Sequence, residues 1–185
     1  MNNKILKIIM SFTILVILFT LPAHGQITKE KELSKAEEFS IQAGTLIQKN
    51  FLDVGKVKGV KVQIVIFKNL INQESMSGVR LSKTHTSSYS SDEKIAFLDP
   101  DEVDGLIKSI KILESKIFNS KPMNYSEVSF KSRGGFDAGC YYSKGNWETY
   151  LKLEKYDKDS YVWLSQNDFS TLLTILIKAQ NKLEK

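Results

Sequence analysis

The run from Ile95 to Ile117 is written a second time, in pattern, from Tyr161 to Leu183, and this internal repeat constrains the fold more than any other feature of the chain. Side by side, Ile-Ala-Phe-Leu-Asp-Pro-Asp-Glu-Val stands over Tyr-Val-Trp-Leu-Ser-Gln-Asn-Asp-Phe. Both read as a strand running straight into a helix. Asp99 and Ser165 carry oxygens suited to an N-cap, and Glu102 and Asp168, three residues on, can reach back to the cap's backbone N–H. Pro100 suits the first helical position. Leu98 with Val103, and Leu164 with Phe169, hold the places of a hydrophobic staple, which sets the angle of the turn from strand to helix.

Beyond the corners, Val103, Leu106, Ile107, Ile110, Leu113 and Ile117 keep the three-and-four spacing of one helical face, matched by Phe169, Leu172, Leu173, Leu176 and Leu183. Identity within the copy is confined to Leu98/Leu164, Leu106/Leu172 and Lys116/Lys182, so what is repeated is a pattern.

The segments ahead of each corner read as strands. In the first half these are Gly44 to Asp53, Val60 to Lys68, Met76 to Lys83 and Lys94 to Leu98. Val60, Val62, Ile64 and Ile66 alternate with Lys61 and Gln63, while Val65 and Phe67 break the polar side, which predicts that this strand is covered on both faces at its far end. Thr84 to Asp92, nearly all Ser and Thr around His85, reads as a flexible loop. In the second half the strands are Asn124 to Lys131, Phe136 to Tyr142, Trp147 to Glu154 and Tyr161 to Leu164, with turns at Ser132-Arg133-Gly134-Gly135 and Ser143-Lys144-Gly145-Asn146. The expected fold class is therefore α+β: two ββββα repeats, 43–118 and 124–185, with antiparallel sheets and two amphipathic helices sharing one core in a single domain, 43–185. Residues 26–42 are charged and weakly periodic and read as a frayed arm with room for a short helix.

In element order this duplicated arrangement resembles the PUR repeat and Whirly families of single-stranded nucleic-acid binders. The resemblance implies that fold and, more weakly, a nucleic-acid-facing sheet.

The N-terminus has the form of an export signal, residues 1–25: Lys4 and Lys7, an apolar run from Ile8 to Leu21, Pro22, and a small-residue site at Ala23-His24-Gly25. The run is short for a membrane span, which needs about 20 apolar residues. No cysteine stands at the cleavage site for lipidation. The expectation is a soluble product, periplasmic or extracellular, with no lipid anchor and no stable membrane insertion.

Loss of Lys4 and Lys7 lowers the net charge of +5 by two, a mild bias. Only Arg80 and Arg133 are arginine, few for a surface that grips phosphates by bidentate forks. Cys140 is the sole cysteine, so no intramolecular disulfide forms and stability must come from packing. A chain of this length can bury about two thirds of its unfolded surface.

Four places invite chemistry. Asp99, Asp101, Glu102 and Asp104 suggest calcium, but Val103, Asp104 and Ile110 stand where an EF-hand loop needs a ligand, glycine and glutamate, and acids in a first helical turn are favoured by the dipole. His85 among Ser and Thr lacks the rigid framework a triad requires. Cys140, in line with Phe136, Ala138 and Tyr142, reads as a small buried hydrophobe rather than a reactive thiol. The fourth is the opposite side of the second sheet. Tyr141, Tyr150 and Lys152 share it, Tyr125 and Lys131 join them, and Arg133 lies in the adjoining basic turn, at the place Lys56 and Lys58 hold in the first half. Rings interleaved with cations can stack on bases or sugars, or hold a peptide.

These readings point to an exported, non-enzymatic binding module that needs no cofactor or metal and uses its aromatic- and lysine-rich sheet face for a protein, peptide or polysaccharide partner. The alternative is a binder of single-stranded nucleic acid or another polyanion, which export disfavours.

Overall fold

The computed structural model describes residues 32–86 and 91–183. The export signal expected at residues 1–25 and the first residues of the charged arm lie outside them. Among the described residues, no helix is long and apolar enough to cross a membrane.

A short helix, α1 (Lys35–Ser40), precedes an antiparallel meander, β1 (Ile47–Val57), β2 (Val60–Asn69), β3 (Ser75–Thr86) and β4 (Ser91–Leu98). Helix α2 (Pro100–Ile112) follows and continues into a π-helical turn, Leu113–Ile117. The second meander is β5 (Ser126–Lys131), β6 (Asp137–Ser143), β7 (Asn146–Lys152) and β8 (Tyr161–Leu164), and it ends in α3 (Gln166–Leu183). Two four-stranded antiparallel sheets, each followed by a helix, make this an α+β protein. Element order is the same in both halves.

The duplicated corner is built as its sequence predicts. Asp99 N–H donates to Glu102 Oε2 at 2.9 Å, and Ser165 N–H donates to Asp168 Oδ2 at 2.8 Å. Each carboxylate thus satisfies a backbone donor at the start of its helix.

From these corners α2 and α3 run back across the inner faces of the sheets. One core holds Val60, Val62, Ile64, Val79 and Leu81 of the first sheet with Ala138, Cys140, Leu151 and Val162 of the second. The α2 stripe is Val103, Leu106, Ile107 and Ile110, extended by Leu113. In α3 the buried stripe is Phe169, Leu172, Ile175, Leu176 and Ala179, so Ile175 and Ala179 take the inner positions while Leu173 and Leu183 are only partly covered. Each helix also reaches the other half's sheet. Ile175 of α3 packs tightly on Gly55 of β1, Lys178 Nζ donates to Val54 O at 3.3 Å, and Phe130 of β5 lies over Gly105 of α2. Neither half has a closed core of its own.

The strands differ from their sequence expectation in two ways. β1 runs on to Val57 through a bulge between Asp53 and Gly55, because the chain reverses only at Lys58 and Gly59, both at positive φ. At the Ser/Thr segment, β3 continues through Thr86 and β4 begins at Ser91, with Thr84 opposite Glu93 and His85 opposite Asp92. Polar composition suggested a loop there, but hydrogen bonding across an existing ladder extends the hairpin. Residues 87–90 lie outside the described residues.

The arm is the larger correction. Residues 34–40 are held rather than frayed: Ser34 caps α1 in a reciprocal box with Glu37, and the buried Asp99 carboxylate accepts Lys35 N–H at 2.9 Å and Ala36 N–H at 3.1 Å. Ala36 and Phe39 then cover Val65 and Phe67 on the outer face of the first sheet, with Ile47, Met76 and Phe97 around them. Val65 and Phe67 are thus covered on the side where their alternation failed, as the sequence of β2 requires.

Candidate functional site: the outer face of the second sheet

Alternation sends Ala138, Cys140, Leu151 and Val162 inward and leaves their neighbours outside. Register then fixes a grid. Lys131, Asp137, Lys152 and Tyr161 form one row across the four strands, Ser129, Gly139, Tyr150 and Trp163 the next, and Glu127, Tyr141 and Glu148 a third. Tyr125 lies just before β5. The β6–β7 hairpin that sets this register closes through Lys144 and Gly145, at φ 52° and 86°, which matches the mirror-image turn that a two-residue hairpin favours.

Five rings run together over this grid. Tyr125 and Tyr141 have centroids 6.2 Å apart, Tyr141 meets Trp163 edge-on at 6.2 Å, and Trp163 meets Tyr150 at 6.2 Å. Tyr161 stacks on Trp163 at 5.6 Å and 12°, lies 5.5 Å from Tyr150, and carries Lys152 Nζ 5.1 Å above its ring. Tyr125 and Trp163 are 64 and 54% exposed, while Tyr141, Tyr150 and Tyr161 are half-buried, shielded partly by one another. Gly139, which has no side chain, sits mid-grid beside Tyr150.

The face is close to neutral. Lys131 and Lys152 are interleaved with Glu127, Asp137 and Glu148. Asp137 Oδ2 is 3.3 Å from Lys131 Nζ, and its Oδ1 accepts the Tyr150 hydroxyl at 3.3 Å. Tyr125 donates its hydroxyl to Glu127. Burial, then the Asp137 charge, holds the Tyr150 hydroxyl protonated well above the ordinary tyrosine range, and hydrogen bonding to Glu127 pushes Tyr125 in the same direction. Both are donors at any ordinary pH.

Of the residues singled out from the sequence, Tyr125, Lys131, Tyr141, Tyr150 and Lys152 come together here. Arg133 does not. Its Nη2 donates to Asp99 Oδ2 at 2.7 Å and Asp101 Oδ1 at 2.8 Å, Nη1 donates to Asp101 Oδ2 at 3.0 Å, and its N–H donates to Glu102 Oε1 at 2.7 Å. Asp99 and Asp101 thus converge on one guanidinium, Glu102 holds the backbone N–H beside it and lies 3.5 Å from Nε, and the three lock the β5–β6 turn to the start of α2. Asp104 pairs with Lys108 instead. Among the described residues, no group of three or more His, Cys, Asp or Glu side chains is arranged to hold a metal ion. Cys140 is buried, and burial pushes its thiol up to about 11.

Sequence reasoning missed Tyr161 and Trp163, the two best-stacked rings. The signal was present: Tyr-Val-Trp-Leu alternates, and burial of Val162 and Leu164 forces both rings outward. Comparison of the chain with protein-family models, with curated proteins and with solved structures finds no significant match.

Proposed function

We propose that this protein is an exported binding module that holds an extended, largely uncharged polymer, a polysaccharide strand or a peptide, along the ring ribbon from Tyr125 to Tyr161. One observation carries the reading: five aromatic side chains form a continuous, uncovered surface on a rigid sheet whose charges nearly cancel. Exposed rings of this kind supply large contact area at low entropic cost. The role is binding rather than catalysis, since the carboxylates Glu127 and Asp137 are already engaged by tyrosine hydroxyls and a lysine. The leader-like N-terminus supports a periplasmic or extracellular location.

The repeated element order, with matching capped corners, supports descent of both halves from one ββββα unit of PUR/Whirly-like arrangement. That arrangement keeps a second reading in play, a single-stranded nucleic-acid binder, favoured by the lysine above Tyr161. The three acids on the face weigh against it.

The test is tryptophan fluorescence in a Trp147→Phe background, so that Trp163 alone reports. Soluble neutral oligosaccharides and an unstructured peptide are titrated beside oligothymidylate. A saturable change with a neutral ligand, insensitive to salt and lost in a Tyr141→Ala/Tyr150→Ala variant, is expected. Binding confined to oligothymidylate, and falling steeply with salt, would replace this reading with the second.

A further inference from the structure

Six consecutive residues of β1, Gln48 to Asp53, are exposed although they belong to a strand of 11 residues. Among the described residues β1 is an edge, paired with β2 on one side only. Phe51 and Leu52, 50 and 44% exposed, point to opposite faces of it, and Leu46 and Ile71 add apolar surface at its start. An open edge is a template for another strand, and proteins usually blunt it. The one irregularity in β1, the bulge between Asp53 and Gly55, begins only where the exposed stretch ends.

We propose that this edge joins two copies of the chain, β1 pairing antiparallel with β1 about a two-fold axis perpendicular to the sheet and midway between Phe51 and its copy. The sequence selects that register. With Phe51 opposite its own copy, Lys49 of each chain lies opposite Asp53 of the other, and Asn50 lies opposite Leu52. Directly opposed residues share a face, so ring meets ring and ammonium meets carboxylate on the outer side, both favourable cross-strand pairs. Moving the axis to Asn50 sets Lys49 against Phe51, and moving it to Leu52 sets Asp53 against Phe51. Either shift loses both ion pairs. Asp53 already accepts Gln63 Nε2 at 2.7 Å and Lys61 Nζ at 2.9 Å through Oδ1, yet its side chain is 69% exposed. The contact is isologous, as a two-fold dimer requires, and it joins the two four-stranded sheets into one of eight strands.

Sedimentation velocity of the full chain over a concentration series tests this independently of the aromatic face. A monomer–dimer equilibrium is expected. Lys49→Asp opposes two carboxylates at each end of the contact and Asp53→Lys opposes two ammonium groups, so each variant alone should lower the association constant by about tenfold or more. An equal mixture of the two restores opposite charges at both ends and should restore the dimer. Phe51→Lys tests the same axis without touching Asp53, whose replacement also removes its bonds to Gln63 and Lys61, and it should leave a folded monomer by circular dichroism. A chain that stays monomeric at every concentration, variants that associate like the parent, or a mixture of folded variants that stays monomeric would overturn the proposal.

Discussion

Phe97 and Trp163 occupy the same place in the two halves, outward-facing and two residues before the helix cap, yet Phe97 lies half-buried against Phe67 while Trp163 is 54% exposed. The register carries the comparison across both sheets. Phe51, Val65 and Gly78 form the row that matches Glu127, Tyr141 and Glu148. Gly78 is where α1 crosses: a Cβ there would stand 2.8 Å from Leu98 O and 3.6 Å from Ala36 Cβ, so a bare backbone lets the helix lie close. At the matching place the second half has Glu148, and Glu127 flanks Tyr141 on its other side. A helix laid there would take two carboxylates out of water, which is costly. One backbone plan therefore has two outcomes. The first sheet's outer face is closed by the arm of its own chain, and the second is kept open by acids at its rim.

Removing the anchor of the cover should give the largest effect. Asp99→Ala leaves Lys35 N–H, Ala36 N–H and Arg133 without their buried acceptor and should cost about 3 kcal/mol in urea denaturation. A loss under about 1 kcal/mol would mean that α1 is not held there. Next comes the matched pair of ring deletions. Phe39→Ala opens the cover over Phe67 and should cost about 2 kcal/mol, whereas Trp163→Ala should change stability by only about 0.5 kcal/mol and remove binding at the ribbon. Equal costs would erase the contrast between the faces.

Cys140 gives a smaller, pH-linked effect on the inner side of the second sheet. Its thiol ionises at about 11 when folded against 9.0 for the ordinary group, so the unfolded chain loses this proton first and stability falls as the solution is taken upward through that interval. A thiol reagent at neutral pH should label the chain only at the rate of unfolding. The smallest effect is at the arginine clamp. Hydrogen bonding to Arg133 holds the Asp101 carboxyl below its ordinary 3.8, so the stabilisation it gives is present above that value and is lost as pH falls through the folded one. Asp101→Asn, which leaves the Arg133 bond to Asp99 in place, should flatten the acid limb of the stability curve by less than about 1 kcal/mol, since Asp101 is largely exposed.

Much of the fold was legible because it is local. Cap residues, staples and strand alternation are short-range signals, and the failed alternation at Val65 and Phe67 even announced a cover. What covers them was not legible: Ala36 and Phe39 are sparse apolar points in a charged arm, and their docking depends on Asp99, far along the chain. The same long-range contact misled the reading of Arg133, whose place in a turn suggested a free cation, although the acids that hold it were visible in the sequence as a knot without a partner. Tyr161 and Trp163 were overlooked because the repeat drew attention to the inward residues of that strand.

Hydroxyl-radical footprinting of the folded chain compares the two faces most directly. Trp163 and Tyr125 should be oxidised rapidly, and Phe67 and Phe97, beneath α1, should be protected until the protein unfolds. Protection of Trp163 and Tyr125 in the free protein, or rapid oxidation of Phe67, would contradict an open second face and a closed first one.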